Sequence, residues 1–180
     1  MAAVKKALKV YRGWLDECPR EARAWEEELV RTICEQVSFV FMPLKGAQPN
    51  QENLTLAQAA LDLYESVARK KDMTNETWDV FIRVVLGVCD FMLEGEELEG
   101  VGTKVSQQMV RLLFSMYIRS SHVLSHSSLA VVELWRLLSK YAQRWCHRLT
   151  FVENWSTVCY CLTRELFFCV SGSAEEANEA

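Results

Sequence analysis

The sequence predicts an all-α protein of about seven antiparallel helices, stacked as a HEAT-like α-solenoid or a helical bundle. Three observations predict it. Apolar residues recur at spacings of three and four in every long segment, which draws one apolar stripe along a helix. No segment alternates apolar and polar residues long enough for a half-buried strand, and the Asn-Gly type of hairpin turn is absent. Short turn-forming stretches separate the stripes, as they do between helices packed side by side.

The first helix is expected over about Ala3–Asp16, with Val4, Leu8, Tyr11 and Leu15 on one face and Pro19 as its stop. The second runs from about Arg20 to Phe41 through Trp25, Leu29, Ile33 and Val37, and ends before Pro43. Residues 43–51 are rich in turn formers and read as a loop. The third helix, about Asn53–Lys70, carries Leu56, Ala60, Leu63, Tyr64 and Val67. Its closing Arg69 and Lys70 suit the negative end of a helix dipole. Thr74 is the N-cap of the fourth, which places Glu76 and Asp79 in its first turn and runs to Met92.

Residues 94–102 (EGEELEGVG) read as an acidic, glycine-spaced connection. A fifth helix, about Thr103–Arg119, shows Val105, Met109, Leu112, Leu113 and Met116. After a Ser/His cluster comes a sixth, about Ser128–Trp145, through Val132, Trp135, Leu138 and Tyr141. Thr150 and Glu153 form a Ser/Thr-x-x-Glu capping box for a seventh. Its stripe is Val152, Trp155, Val158, Cys159, Leu162, Leu166 and Cys169, and Ser171-Gly172 is its expected stop. The domain is thus expected over residues 3–171, with a disordered acidic tail over 172–180. The fourth and seventh helices open alike, with Glu-x-Trp at Trp78 and Trp155, and apolar residues follow both at +3, +4, +7 and +11. That separation is about twice one two-helix repeat of the HEAT class.

Chemistry is sparse. The chain has 180 residues and a formal charge of −4, so no overall basic field would gather nucleic acid. Lys5, Lys6, Lys9 and Arg12 interrupt the first apolar residues, which argues against a signal peptide. Arg83, Asp90 and Arg164 break the longest apolar runs below membrane-spanning length. Seven cysteines, several at apolar helix positions (Cys34, Cys89, Cys159, Cys169), read as buried thiols of a reducing compartment, and the expected location is cytoplasmic. Cys146-His147 and Cys159-x-Cys161 lack the repeated pair spacing of a zinc site, and Glu94, Glu96, Glu97 and Glu99 lack the rhythm of a calcium loop. The three histidines, at 122, 126 and 147, stand in no nucleophile turn. No catalytic, metal or cofactor residue is expected.

The tryptophans divide. Trp25, Trp78, Trp135 and Trp155 fall on apolar stripes and read as core. Trp14 and Trp145 lie near helix ends beside Arg12 and Arg144, and read as anchors for a partner. Leu166, Phe167, Phe168 and Val170 make the end of the last helix apolar nearly all round. A terminal layer needs a polar outer face to stay soluble, so either this helix is central or these four are expected to meet a following element of a longer chain or a subunit.

Three stretches carry a resemblance. Asn75-Glu76-Thr77-Trp78-Asp79-Val80, Arg144-Trp145 with Phe151-Val152-Glu153-Asn154-Trp155-Ser156, and Leu162-Thr163 together resemble the amino-terminal region of Ral GTPase-activating protein beta subunits, a tuberin-related family. The similarity extends loosely over residues 10–170. It implies a non-catalytic helical scaffold in a complex that stimulates GTP hydrolysis by Ral-type GTPases through a separate α/β domain with an asparagine thumb. No motif of that domain occurs here, so no catalytic residue carries over. The implied partners are proteins: a catalytic alpha-type subunit, the remainder of the parent chain and, indirectly, a small GTPase. Neither nucleic acid nor an integral membrane segment is implied. An unrelated HEAT-like adaptor or trafficking scaffold would share the architecture alone, and a small helical enzyme would need a buried polar pocket.

Overall fold

Helix follows helix throughout the computed structural model, which describes residues 2–17, 24–44, 50–70, 73–93, 101–123 and 128–178. Within these ranges the side chains of residues 24–25, 43–44, 70, 101–104, 122–123, 128–130, 166 and 168–178 are not described. The order is α1 (Ala2–Glu17), α2 (Ala24–Ser38), a 3-10 segment (Phe39–Leu44), α3 (Gln51–Lys70), α4 (Asn75–Leu93), α5 (Val101–Val123), α6 (Ser128–Trp145) and α7 (Leu149–Asn178). No strand occurs among the described residues.

Local chemistry sets the boundaries. The second helix tightens into 3-10 geometry at Phe39 rather than running on to Phe41. Pro43 supplies no N–H and crowds the residue before it, which favours a short, tighter turn. Asn50 caps α3, its Oδ1 accepting the Asn53 N–H at 2.8 Å. A break separates α6 from α7 as expected, but the capping box at Thr150 is not formed. Arg148 precedes the helix, and its carbonyl accepts the N–H groups of Phe151 and Val152, both at 3.1 Å. Thr150 therefore lies inside the first turn. The helix also passes the expected stop at Ser171-Gly172 and ends at Asn178. Glycine ends a helix only where the chain turns away afterwards, and the residues that follow here are mostly the good helix formers Ala and Glu.

The helices alternate between two layers. In one, α1 packs on α3, α3 on α5 and α5 on α7; in the other, α2 packs on α4 and α4 on α6. Cross-layer packing joins α1 to α2, α2 to α3, α4 to α5 and α5 to α6. The core between the layers holds two aromatic groups. Tyr64 contacts Phe41 at 6.4 Å and Phe81 at 5.6 Å between ring centroids, and Phe81 contacts Trp78 at 6.2 Å. The Tyr64 hydroxyl also donates to the Cys34 carbonyl at 2.7 Å, so α3 is tied to α2 by both packing and a buried hydrogen bond. In the second group Phe151 of α7 contacts Phe114, Trp145 and Trp155 at 5.7, 5.6 and 6.2 Å. Trp78 is fully buried as expected, whereas Trp155 is half-buried. The Trp25 side chain lies outside the described residues.

A buried ionic network joins α2 to the start of α4. Glu27 Oε1 accepts the Thr74 N–H at 3.0 Å, and Oε2 accepts the hydroxyls of Thr74 and Thr77, the latter at 2.7 Å. Arg31 Nη1 donates to Thr77 Oγ1 at 3.3 Å. A carboxylate from another helix thus helps Thr74 cap α4, at the positive end of its dipole. Burial alone would raise the Glu27 pKa. The hydrogen bonds from Thr74 and Thr77 and the Arg31 charge outweigh it, and the carboxyl is held below its ordinary 4.5.

A depressed folded pKa contributes stability that is present above the unfolded value and lost as pH falls through the folded one. Glu27→Gln is therefore expected to cost about 1.5–3 kcal/mol at neutral pH. The gap in stability from the wild type should narrow as pH drops below about 4.5. Thermal melts of both proteins across that range check it; a gap unchanged down to acid pH would show that the carboxylate charge contributes nothing.

Candidate partner surface

The surface best suited to a partner is the face of α7 turned away from the layers. Phe151, Trp155 and Val158 of this helix face the core. Leu149, Val152, Tyr160 and Phe167 fall on the opposite side at the 3.6-residue period, and their exposures are 65%, 44%, 67% and 65%. The expected stripe therefore splits into two. Val152 and Cys159, read from sequence as part of the inward stripe, are exposed. Leu162 continues the inward stripe beyond Val158 and is 41% exposed. An aligned row of large, exposed apolar side chains on a helix has the form of a docking face.

Of the six residues expected at a partner surface, Trp14 and Phe167 are exposed. Phe167 lies on the outward row. Trp14 is 47% exposed and stands 5.9 Å from Tyr11 between ring centroids, but on α1 at the other end of the layer. The structure therefore does not bring Trp14 and Phe167 together. The side chains of Leu166, Phe168 and Val170 lie outside the described residues. Leu149, Val152 and Tyr160 were not expected, although a second row at the same spacing as the core stripe is present in the sequence.

Trp145 is a correction. It is fully buried: its Nε1 donates to Asp90 Oδ1 at 3.1 Å, its ring stacks on Tyr141 at 5.5 Å, and it meets Phe151 edge-on. Arg144 Nη1 holds the other carboxylate oxygen of Asp90 at 2.9 Å. Beside them the buried Arg148 donates from Nε to the Leu93 carbonyl at 2.9 Å, satisfying one of the last carbonyls of α4. The tight turn between α6 and α7 is thereby clamped onto the end of α4. A tryptophan at the end of a helix looks exposed in sequence, but this one is covered by the helix that follows.

Nothing in the described residues assembles reactive groups. No cluster of three or more His, Cys, Asp or Glu could hold a metal ion, and no described helix is long and apolar enough to cross a membrane. Burial pushes the Cys34 and Cys89 thiols well above the usual range, and they stay protonated and inert. Cys146, Cys159 and Cys161 are exposed free thiols, so the expectation that Cys159 is buried does not hold. The concave regions are open grooves between helices. One of about 480 Å³ lies between α2 and α4, with Phe39, Met42, Val84 and Phe91 among its lining, and another of about 750 Å³ lies between α5 and α7.

Comparison with known proteins points in one direction. The family profile of the RALGAPB N-terminal domain matches residues 49–173. The human Ral GTPase-activating protein subunit beta is 23% identical over 172 residues, covering 91% of this chain and 11% of that protein. The mouse protein of the same name is also 23% identical over 172 residues, with the same coverage of each chain. A Rap-GAP domain-containing protein of Dictyostelium discoideum is 26% identical over 115 residues, 62% of this chain and 7% of its own. The chain thus spans only 11% of the length of the beta subunits it matches. No solved structure matches.

Proposed function

Because this chain belongs to the RALGAPB N-terminal domain family, we propose that it is a non-catalytic helical interaction module of a regulatory subunit in a Ral-type GTPase-activating complex. The observation that carries the reading is the outward row of α7, where Leu149, Val152, Tyr160 and Phe167 lie exposed within the segment the family match covers. Seated in a complex, that row would bury large apolar area, and burial at about 25 cal/mol per Å² is the main driving force of association. The partner is the catalytic alpha-type subunit or the remainder of a beta-type chain, and the site of action is cytoplasmic. The stacking of alternate helices in two layers supports a HEAT-like scaffold, which offers rigid faces rather than a reactive cleft.

Co-expression with a Ral GAP alpha-type subunit, and separately with the remaining part of a beta subunit, tests this reading. Co-elution with either on a sizing column is the expected result, and independent elution from both contradicts it.

A further inference from the structure

The groove between α5 and α7 combines basic and apolar side chains. Arg111, Ser115 and Arg119 recur at i, i+4 and i+8 along α5 and share one stripe. They border the groove together with Asn154 and Thr157 of α7, over apolar side chains that include Ile118, which is 42% exposed. No acidic side chain lines the groove. Neither Arg111 nor Arg119 forms an ion pair among the described residues, whereas Arg69, Arg83, Arg136 and Arg144 are each paired with a carboxylate. In a chain of formal charge −4, two unpaired guanidinium groups over an apolar floor are a local excess of positive charge.

We propose that this groove receives an acidic amphipathic helix from a protein partner. Its apolar side chains would cover Ile118 and the exposed part of Val158, and two of its carboxylates would pair with Arg111 and Arg119, whose planar forks suit bidentate binding. The two arginines are eight residues apart, about 12 Å along the helix axis, so carboxylates two turns apart on the docked helix reach both. The apolar residues sit in a concave channel between two helices, which fits a helix better than a lipid surface. Two arginines are also too few to hold a nucleic-acid backbone against the charge of the chain. The proposal is independent of the function assigned to the outward face of α7, and its failure would leave that face untouched.

The test uses the full 180-residue chain and a fluorescein-labelled helical peptide of about 16 residues with one leucine stripe and glutamates two turns apart. A second peptide replaces the glutamates with lysines. Fluorescence anisotropy should show saturable binding of the acidic peptide alone, weakening with added salt. Arg111→Glu/Arg119→Glu should weaken it by at least about tenfold while helicity and melting stay unchanged, because neither arginine forms an ion pair among the described residues. The Arg111→Lys/Arg119→Lys variant should retain most of the binding. The proposal is overturned if both peptides bind equally, if neither binds, or if the charge-reversed variant binds like the wild type. Binding to phosphatidylserine vesicles that the double reversal abolishes, without peptide binding, would overturn it in favour of a membrane.

Discussion

Replacing Trp78 with alanine is expected to lower the unfolding free energy by about 3–5 kcal/mol, the range for deleting a large buried aromatic. The side chain has no exposed area, meets Phe81, and stands one residue from the Glu27–Thr77 contact that anchors the start of α4. Its removal would leave a cavity between α4 and its neighbours that this many packed helices cannot collapse around. Trp78→Phe separates packing from polarity. The indole Nε1 is buried without a hydrogen-bond partner among the described residues, so losing it removes an unsatisfied donor. That variant should cost well under half as much as alanine. Urea denaturation of the two variants measures both effects; an unmoved midpoint for Trp78→Ala would place the residue outside the core.

Trp145→Ala should cost a similar amount, about 3–5 kcal/mol, and for a different combination of reasons. The ring is the hub between Tyr141 and Phe151, and its N–H donates one of the hydrogen bonds that hold Asp90. Alanine removes the packing and leaves Arg144 as the remaining contact to that carboxylate. Trp145→Phe keeps most of the ring contact and loses the hydrogen bond to a charged acceptor, expected to cost about 1.5–3 kcal/mol. A residue that served only as a partner anchor would behave otherwise: alanine would weaken binding and leave the melting temperature unchanged. Thermal melts of both variants, in the absence of any partner, decide between the two roles.

Periodicity and caps carried most of the fold. The limits of α6 agree with those expected at both ends, and Thr74 caps α4, because the spacing of apolar residues and the preferences of short polar side chains act locally. Long-range partners leave no such local mark. Nothing in the sequence around Thr74 shows that Glu27, 47 residues earlier, completes its cap. Likewise Trp145 becomes buried only because Asp90, 55 residues away, meets the turn before α7. The exposed row of α7 is partly legible in the sequence. Excess apolar residues on the last helix are plain in the sequence, and Phe167 was among those expected. Periodicity alone does not say which of two apolar rows faces the core, so the spacing assigns Val152 to the core stripe and does not single out Leu149 and Tyr160. The Arg111–Ser115–Arg119 stripe follows helical spacing too. Its significance depends on which part of α7 lies opposite, Asn154, Thr157 and Val158 with no acidic side chain among them, which only the packing reveals.

That the outward row of α7 docks this module into its complex is tested most directly by Tyr160→Glu/Phe167→Glu on the co-expression sizing column. Both positions are about two-thirds exposed, so the double variant should keep the helicity and melting temperature of the wild type. Against the partner that the wild-type chain accompanies, the variant is predicted to elute separately. Undiminished co-elution of the folded variant would contradict the assignment of this face.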